Sequence, residues 1–169
     1  MQILAGRYKG VSIQTSAKYK YRPTQSKVRK SLFDILGDLT DKTVIDLFAG
    51  SGILGFEALS RMAKSVIFVE TNRNLVQLLY KNCLQIDQRN CIIKRMDAYK
   101  FLNEKRSVDL ILVDPPYGQK ELNLLIELCR KILNPNGMLV LETSTKDEHI
   151  NADNERIYGS TRLSFWRNK

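Results

Sequence analysis

The sequence predicts an α/β protein built on one doubly wound, mostly parallel sheet with an antiparallel edge, and three observations carry that prediction. Strand-like apolar runs alternate with helical periodicity five times, and a strand pair closes the chain. The first run enters Gly50-Ser51-Gly52-Ile53-Leu54-Gly55, a G-x-G-x-x-G turn that opens a helix. The fourth run, Asp109 to Val113, carries four large aliphatics and stops at Asp114-Pro115-Pro116-Tyr117. That composition suits a strand buried on both faces.

Residues 1–15 read as a hairpin, with Ile3 and Leu4 facing Val11 and Ile13 across the glycine-bounded turn Gly6–Gly10. Residues 16–22 form a basic, aromatic linker that suits either a solvated loop or base stacking between cations. A helix follows, with Thr24 as N-cap, Val28, Leu32, Ile35 and Leu36 on one face, and Gly37 as the stop. Lys27, Lys30 and Asp34 fall on the other face.

The spacing then predicts a strand at 43–49, a helix at Ile53–Arg61, a strand at Ser65–Glu70 and an Asn72-capped helix to Asp87. A third strand, Cys91–Met96, ends in Asp97-Ala98 before a short helix. The fourth strand precedes a helix from about Lys120 to Leu133, whose aliphatic stripe is core. Asn134-Pro135-Asn136-Gly137 reads as a turn into strand Met138–Glu142, and residues 145–154 as a polar, mobile loop. Ile157–Trp166 closes as a hairpin, with Leu163 and Phe165 alternating against Ser164 and Trp166.

At 169 residues the chain reads as one domain, with 1–40 as an N-terminal extension and 41–169 as a cofactor-binding core. It has no apolar stretch of the roughly 20 residues a membrane span needs and no secretory leader, so a cytoplasmic protein is expected. Cys83, Cys91 and Cys129 form no C-x-x-C pair and read as reduced core thiols. His149 is the single histidine, which argues against a histidine-based metal site or catalytic triad.

The net charge of +9 is uneven. Residues 1–30 hold eight Lys/Arg and no acid, and the last fourteen residues add four cations without an acid. A basic surface made from both chain ends fits a phosphate backbone, although an anionic membrane or plain solubility asks for the same charge.

The glycine turn lets backbone approach a ligand, and Glu70, twenty residues after Gly50, is spaced to accept from ribose hydroxyls. Asp97 either takes an adenine amino group or caps the next helix, and one carboxylate can serve both. These features suit an adenosine-type cofactor. Asp114 offers a carboxylate, Pro115 a carbonyl with no N–H, and Tyr117 a flat face. Two fixed acceptors beside a stacking ring describe a pocket for the exocyclic amino group of a nucleobase. A dehydrogenase would want a proton relay or hydride-acceptor site here instead.

Asp46-Leu-Phe-Ala-Gly-Ser-Gly52 together with Asp114-Pro-Pro-Tyr117 resembles the class I S-adenosylmethionine-dependent amino methyltransferases. Leu4-Ala-Gly6, Lys9-Gly10 and Arg22-Pro-Thr24, followed by Val28-Arg29 and Leu32-Phe33, make the chain similar to the RsmD family. That resemblance implies a seven-stranded Rossmann-like sheet and methyl transfer from S-adenosyl-L-methionine to the exocyclic N2 of a guanine in bacterial small-subunit (16S) ribosomal RNA. It implies a cofactor site of Asp46, Phe48, Gly50, Gly52, Glu70, Asp97 and Ala98, and a catalytic turn of Asp114, Pro115, Pro116 and Tyr117. Arg22, Thr24, Lys27 and Arg29 are the implied RNA contacts, and a monomer acting on the small subunit or its assembly intermediate is expected. The chain departs from the family pattern at Ser26, Lys30 and Asp34. Two rivals are a DNA adenine-N6 methyltransferase and a non-catalytic RNA-binding assembly factor on the same fold.

Overall fold

The computed structural model describes residues 1–15, 26–116, 118–119 and 121–169. Arg22, Thr24 and Tyr117, three of the expected site residues, lie outside the described residues. The elements run α1 (Ser26–Leu36), β1 (Thr43–Leu47), α2 (Ile53–Ser60), β2 (Ser65–Val69), α3 (Arg73–Ile86), β3 (Cys91–Lys94) and α4 (Ala98–Leu102). They continue with β4 (Val108–Val113), α5 (Leu122–Lys131), β5 (Leu133–Ser144), β6 (Asn154–Tyr158) and β7 (Thr161–Arg167).

Seven strands make one sheet in the order β3-β2-β1-β4-β5-β7-β6. β1 to β5 run parallel to one another, and β7 pairs antiparallel with both β5 and β6. The order reverses between β1 and β4, so their carboxyl ends form the crevice where open α/β sheets take ligands. Both sheet faces are covered. Val44, Leu110, Leu112 and Val140 belong to one apolar cluster, and Ile45, Ile111, Leu139 and Leu141 to the other. Successive strand residues face opposite sides, which is why aliphatic residues occupy both faces of the central strands β1 and β4, with Asp46 and Asp109 as the acidic exceptions.

Several elements differ from the sequence reading. In α1 the buried positions are Val28, Arg29, Leu32 and Phe33, while Ile35 is 40% exposed. The face turns because Phe33 carries the Arg61 guanidinium 5.1 Å from its ring centroid and Arg29 is drawn inward by an acid. Asn134-Pro135-Asn136-Gly137 is not a free turn but an irregularity inside β5, where the register against β4 shifts between Val108 and Leu110. It is pinned by Asn134 Nδ2 donating to Asp109 (2.9 Å) and by Asn168 Nδ2 donating to the Leu133 carbonyl (2.9 Å).

The stretch 145–154 is not a loose loop either. Trp166 Nε1 donates to the Asn151 carbonyl (3.0 Å), Ser144 N–H to Asp147 (2.8 Å), and Ile150 and Ala152 pack against the core. The expected in/out alternation of β7 is absent, because an interior strand between β5 and β6 is buried from Thr161 to Trp166. No helix among the described residues is long and apolar enough to cross a membrane.

Candidate active site

A cavity of about 580 Å³ opens at the carboxyl ends of β1, β2, β4 and β5. It brings together Asp46, Phe48 and Gly50 after β1, Glu70 after β2, and Asp114, Pro115 and Pro116 after β4. The stiff Asp-Pro-Pro turn and the glycine turn therefore face one space, although Gly50 and Asp114 lie 64 positions apart in the chain.

Each wall has a local cause. Gly50 adopts φ +54°, and a Cβ built on it would meet nothing nearer than the Phe48 carbonyl at 3.9 Å, so the backbone is bare toward the cavity. Gly52, at φ +78°, serves differently from the expectation. It does not line the cavity, and a Cβ there would stand 2.5 Å from Leu79 Cδ2 and 2.7 Å from the Phe56 ring. Its role is to let the turn pack under α3.

Glu70 is more than a free acceptor. One carboxylate oxygen accepts from Gly50 N–H (3.0 Å) and the other from Asn72 N–H (2.8 Å), so it ties the glycine turn to the start of α3. A carboxylate oxygen has two lone pairs, which leaves capacity for a ribose hydroxyl. Asp46, 2% exposed, accepts from Gly55 N–H (2.9 Å) and joins β1 to α2. Burial pushes its carboxyl up to about 8; the Gly55 N–H opposes that rise and the Glu70 charge adds to it.

Asp97 and Ala98 stand apart from the cavity lining, at the outer β3 end of the same sheet edge. Asp97 caps α4 by accepting from Lys100 N–H (3.0 Å), and Ala98 is buried. Of the expected RNA contacts, Lys27 is exposed on α1. Arg29 is a correction. It is 2% exposed, its Nη2 donates to the Gln2 carbonyl (2.6 Å), and its Nε stands 3.5 Å from Glu57. A side chain so enclosed holds the extension and has no face for RNA.

The residues that sequence reasoning missed are those that dock the extension. Glu57, fully buried in α2, accepts from Leu4 N–H (2.8 Å) and Ala5 N–H (3.1 Å) and pairs with Arg61 (3.1 Å). Ser60 Oγ accepts from Tyr8 N–H (2.9 Å), and Asn82 exchanges bonds with the Gln14 backbone (2.9 and 3.1 Å). Asn82 also reaches the Ser51 carbonyl (3.5 Å), so the extension abuts the glycine turn. A single acid in the otherwise apolar run Ile53–Leu59 was the available signal.

The family model described as "Conserved hypothetical protein 95" matches residues 1–167. Ribosomal RNA small subunit methyltransferase D of Buchnera aphidicola subsp. Acyrthosiphon pisum is 32% identical over 92% of this chain and 84% of its own length. The protein of the same name from Escherichia coli is 33% identical over 84% of this chain and 71% of its own. The solved structure of yhhF from Escherichia coli superposes with a TM-score of 0.90 at 27% identity, covering 100% of this chain and 98% of that one. With the matching motifs and sheet order, these likenesses show that the chain belongs to the RsmD family.

Proposed function

We propose that this protein transfers a methyl group from S-adenosyl-L-methionine to the exocyclic N2 of a guanine in small-subunit ribosomal RNA. The observation that carries the reading is that the Asp114-Pro115-Pro116 turn and the Gly50–Glu70 wall line one cavity. The relatives named as ribosomal RNA small subunit methyltransferase D support the RNA class of substrate.

The residues fit the cofactor. Gly50 leaves backbone open for the amino-acid portion, with Asp46 and Phe48 beside it, and Glu70 keeps acceptor capacity for the ribose. Asp97 and Ala98, further along the edge, are assigned to the adenine. Bound S-adenosylmethionine supplies a methyl already activated by its sulfonium, so the protein's work is orientation and electrostatics. Asp114 and the Pro115 carbonyl accept from the target amino group and turn its nitrogen toward the methyl. On accepting the methyl the amino nitrogen would have to lose one proton, and the Asp114 carboxylate, hydrogen-bonded to that amino group, would be placed to take it. Tyr117 is assigned to stack on the base, which must leave its helix or be unpaired. Arg22, Thr24 and Lys27 are assigned to RNA contact.

The test is label transfer from methyl-tritiated S-adenosylmethionine to small ribosomal subunits from a strain lacking the protein, to the matching naked RNA and to unmethylated DNA. N2-methylguanosine from subunits or RNA is the expected product. N6-methyladenine from DNA, or no transfer to any substrate, overturns the reading. Asp114→Ala is expected to abolish transfer with S-adenosylhomocysteine affinity kept; equal loss of both would make Asp114 a cofactor ligand or a structural residue.

A further inference from the structure

We propose that Tyr99 is a positioning residue for methyl transfer: its hydroxyl anchors the segment that follows the catalytic turn and so holds that turn against the cofactor site. This rests on the assignment of the reaction to Asp114, Pro115 and Pro116 made above. Gln119 Nε2 donates to Tyr99 Oη (2.7 Å), and Tyr99 Oη donates to the Glu121 carbonyl (3.4 Å). A phenolic hydroxyl accepts and donates at once, so the two bonds are compatible. Among the described residues, both bonds made by this hydroxyl go to the one segment.

The connection from β4 to α5 needs such an anchor. It enters the site stiffly, because two successive prolines fix the backbone after Asp114. It continues through Gly118, at φ +76°, where a Cβ would meet nothing within 4 Å. A glycine in open space has the most backbone freedom to lose, so an exit without an anchor would be loose. The start of α5 gives little help, since its N-cap, Glu121, makes no side-chain capping bond. Yet Gly118, Gln119, Leu122 and Asn123 all line the cavity beside Asp114 and Pro115. Looseness in this wall would therefore reach the reacting groups.

Tyr99 is itself firmly held. It follows Asp97 and Ala98 at the start of α4, the helix that Asp97 caps. Its ring packs against the apolar cluster of Phe101, Leu125 and Cys129, and Asn103 Nδ2 donates to its carbonyl (3.0 Å). Burial raises the hydroxyl above the ordinary tyrosine pKa, so it is a neutral donor and acceptor at neutral pH. Packing alone does not call for the oxygen, because phenylalanine would fill the same space. The hydroxyl thus joins the helix beside the residues assigned to the adenine to the wall beside the residues assigned to the target base. A shift of that wall moves the acceptors of the amino group relative to the methyl, and a misplacement of about 1 Å can cost roughly a hundredfold in rate.

The experiment compares wild type, Tyr99→Phe, Gln119→Met and the double variant in single-turnover methyl transfer to small ribosomal subunits from a strain lacking the protein. S-adenosylhomocysteine affinity by calorimetry and urea unfolding are measured alongside. Tyr99→Phe should keep the urea midpoint and the affinity but lower the transfer rate about tenfold or more. Gln119→Met, which breaks the bond from the cavity side, should also lower the rate. In that background Tyr99→Phe should cost about threefold or less, because the shorter of the two bonds is already gone. An unchanged rate in Tyr99→Phe overturns the proposal, even if the urea midpoint moves, since the hydroxyl would then serve stability alone. An equal rate loss in both backgrounds, or a loss confined to S-adenosylhomocysteine affinity, overturns it too. Failure of the underlying reading shows elsewhere: Asp114→Ala would keep transfer, or wild type would transfer nothing, and the proposal would fall with it.

Discussion

Removing the Glu57 carboxylate should loosen the N-terminal extension from the sheet domain, and the structure indicates by how much. Glu57 is fully buried, takes two backbone N–H groups from the extension and faces Arg29, itself 2% exposed. In Glu57→Ala the Arg29 guanidinium stays buried without its counter-charge. Burial already pulls that guanidinium below its ordinary pKa. Breaking one partner of a buried pair costs roughly 3–5 kcal/mol. Stranding the Leu4 and Ala5 N–H groups moves the loss to the upper end of that range, since each buried orphan donor costs about 1–3 kcal/mol. Against a typical total of roughly 5–15 kcal/mol, the variant should sit near the edge of folding at 37 °C. The assay is urea unfolding followed through Trp166, the single tryptophan, with hydrogen exchange at Leu4 and Ala5. Arg29→Met should then be neutral or stabilising in the Glu57→Ala background, because it removes the uncompensated charge. A loss under about 1 kcal/mol for Glu57→Ala, or an Arg29→Met cost that is the same in both backgrounds, would refute the reasoning.

Gly55→Ala should destabilise by roughly 1–3 kcal/mol or more, because its Cβ would lie 2.3 Å from the Phe68 ring and 2.8 Å from Val66 Cγ1 in the core; a neutral result in urea unfolding would mean that α2 shifts freely off β2. Asp46→Asn addresses pH. The buried carboxyl titrates near 8 in the folded protein against 3.8 ordinarily, so the native state binds more protons between those values and wild-type stability falls as pH rises through that window. Each pH unit there costs up to about 1.4 kcal/mol, and the variant should lose this dependence, matching wild type near pH 4 and exceeding it at pH 8; parallel curves would place the Asp46 titration elsewhere. Glu70→Ala removes both the assigned ribose acceptor and the Gly50 N–H partner, so calorimetry should record at least a tenfold loss of S-adenosylhomocysteine affinity, and an unchanged affinity would remove the ribose assignment.

The sheet was legible in the sequence because the central strands are short runs rich in large aliphatics and helices such as α3 and α5 carry a 3.6-residue apolar stripe, both local patterns. The start of α3 at Asn72 and the cap of α4 at Asp97 were legible for the same reason: their side chains bond N–H groups two or three residues away. The glycine turn, Glu70 and Asp114-Pro115-Pro116 announced themselves as motifs whose backbone chemistry is written in adjacent residues. What only the tertiary structure decided involves partners far apart in the chain. Arg29 reads as a surface cation until Glu57 and the Gln2 carbonyl enclose it. Gly52 reads as a ligand-facing glycine until Leu79 and Phe56 close on it. Composition and spacing report what a residue can do over one turn or one strand, whereas burial and charge pairing depend on which distant segments the fold brings against it.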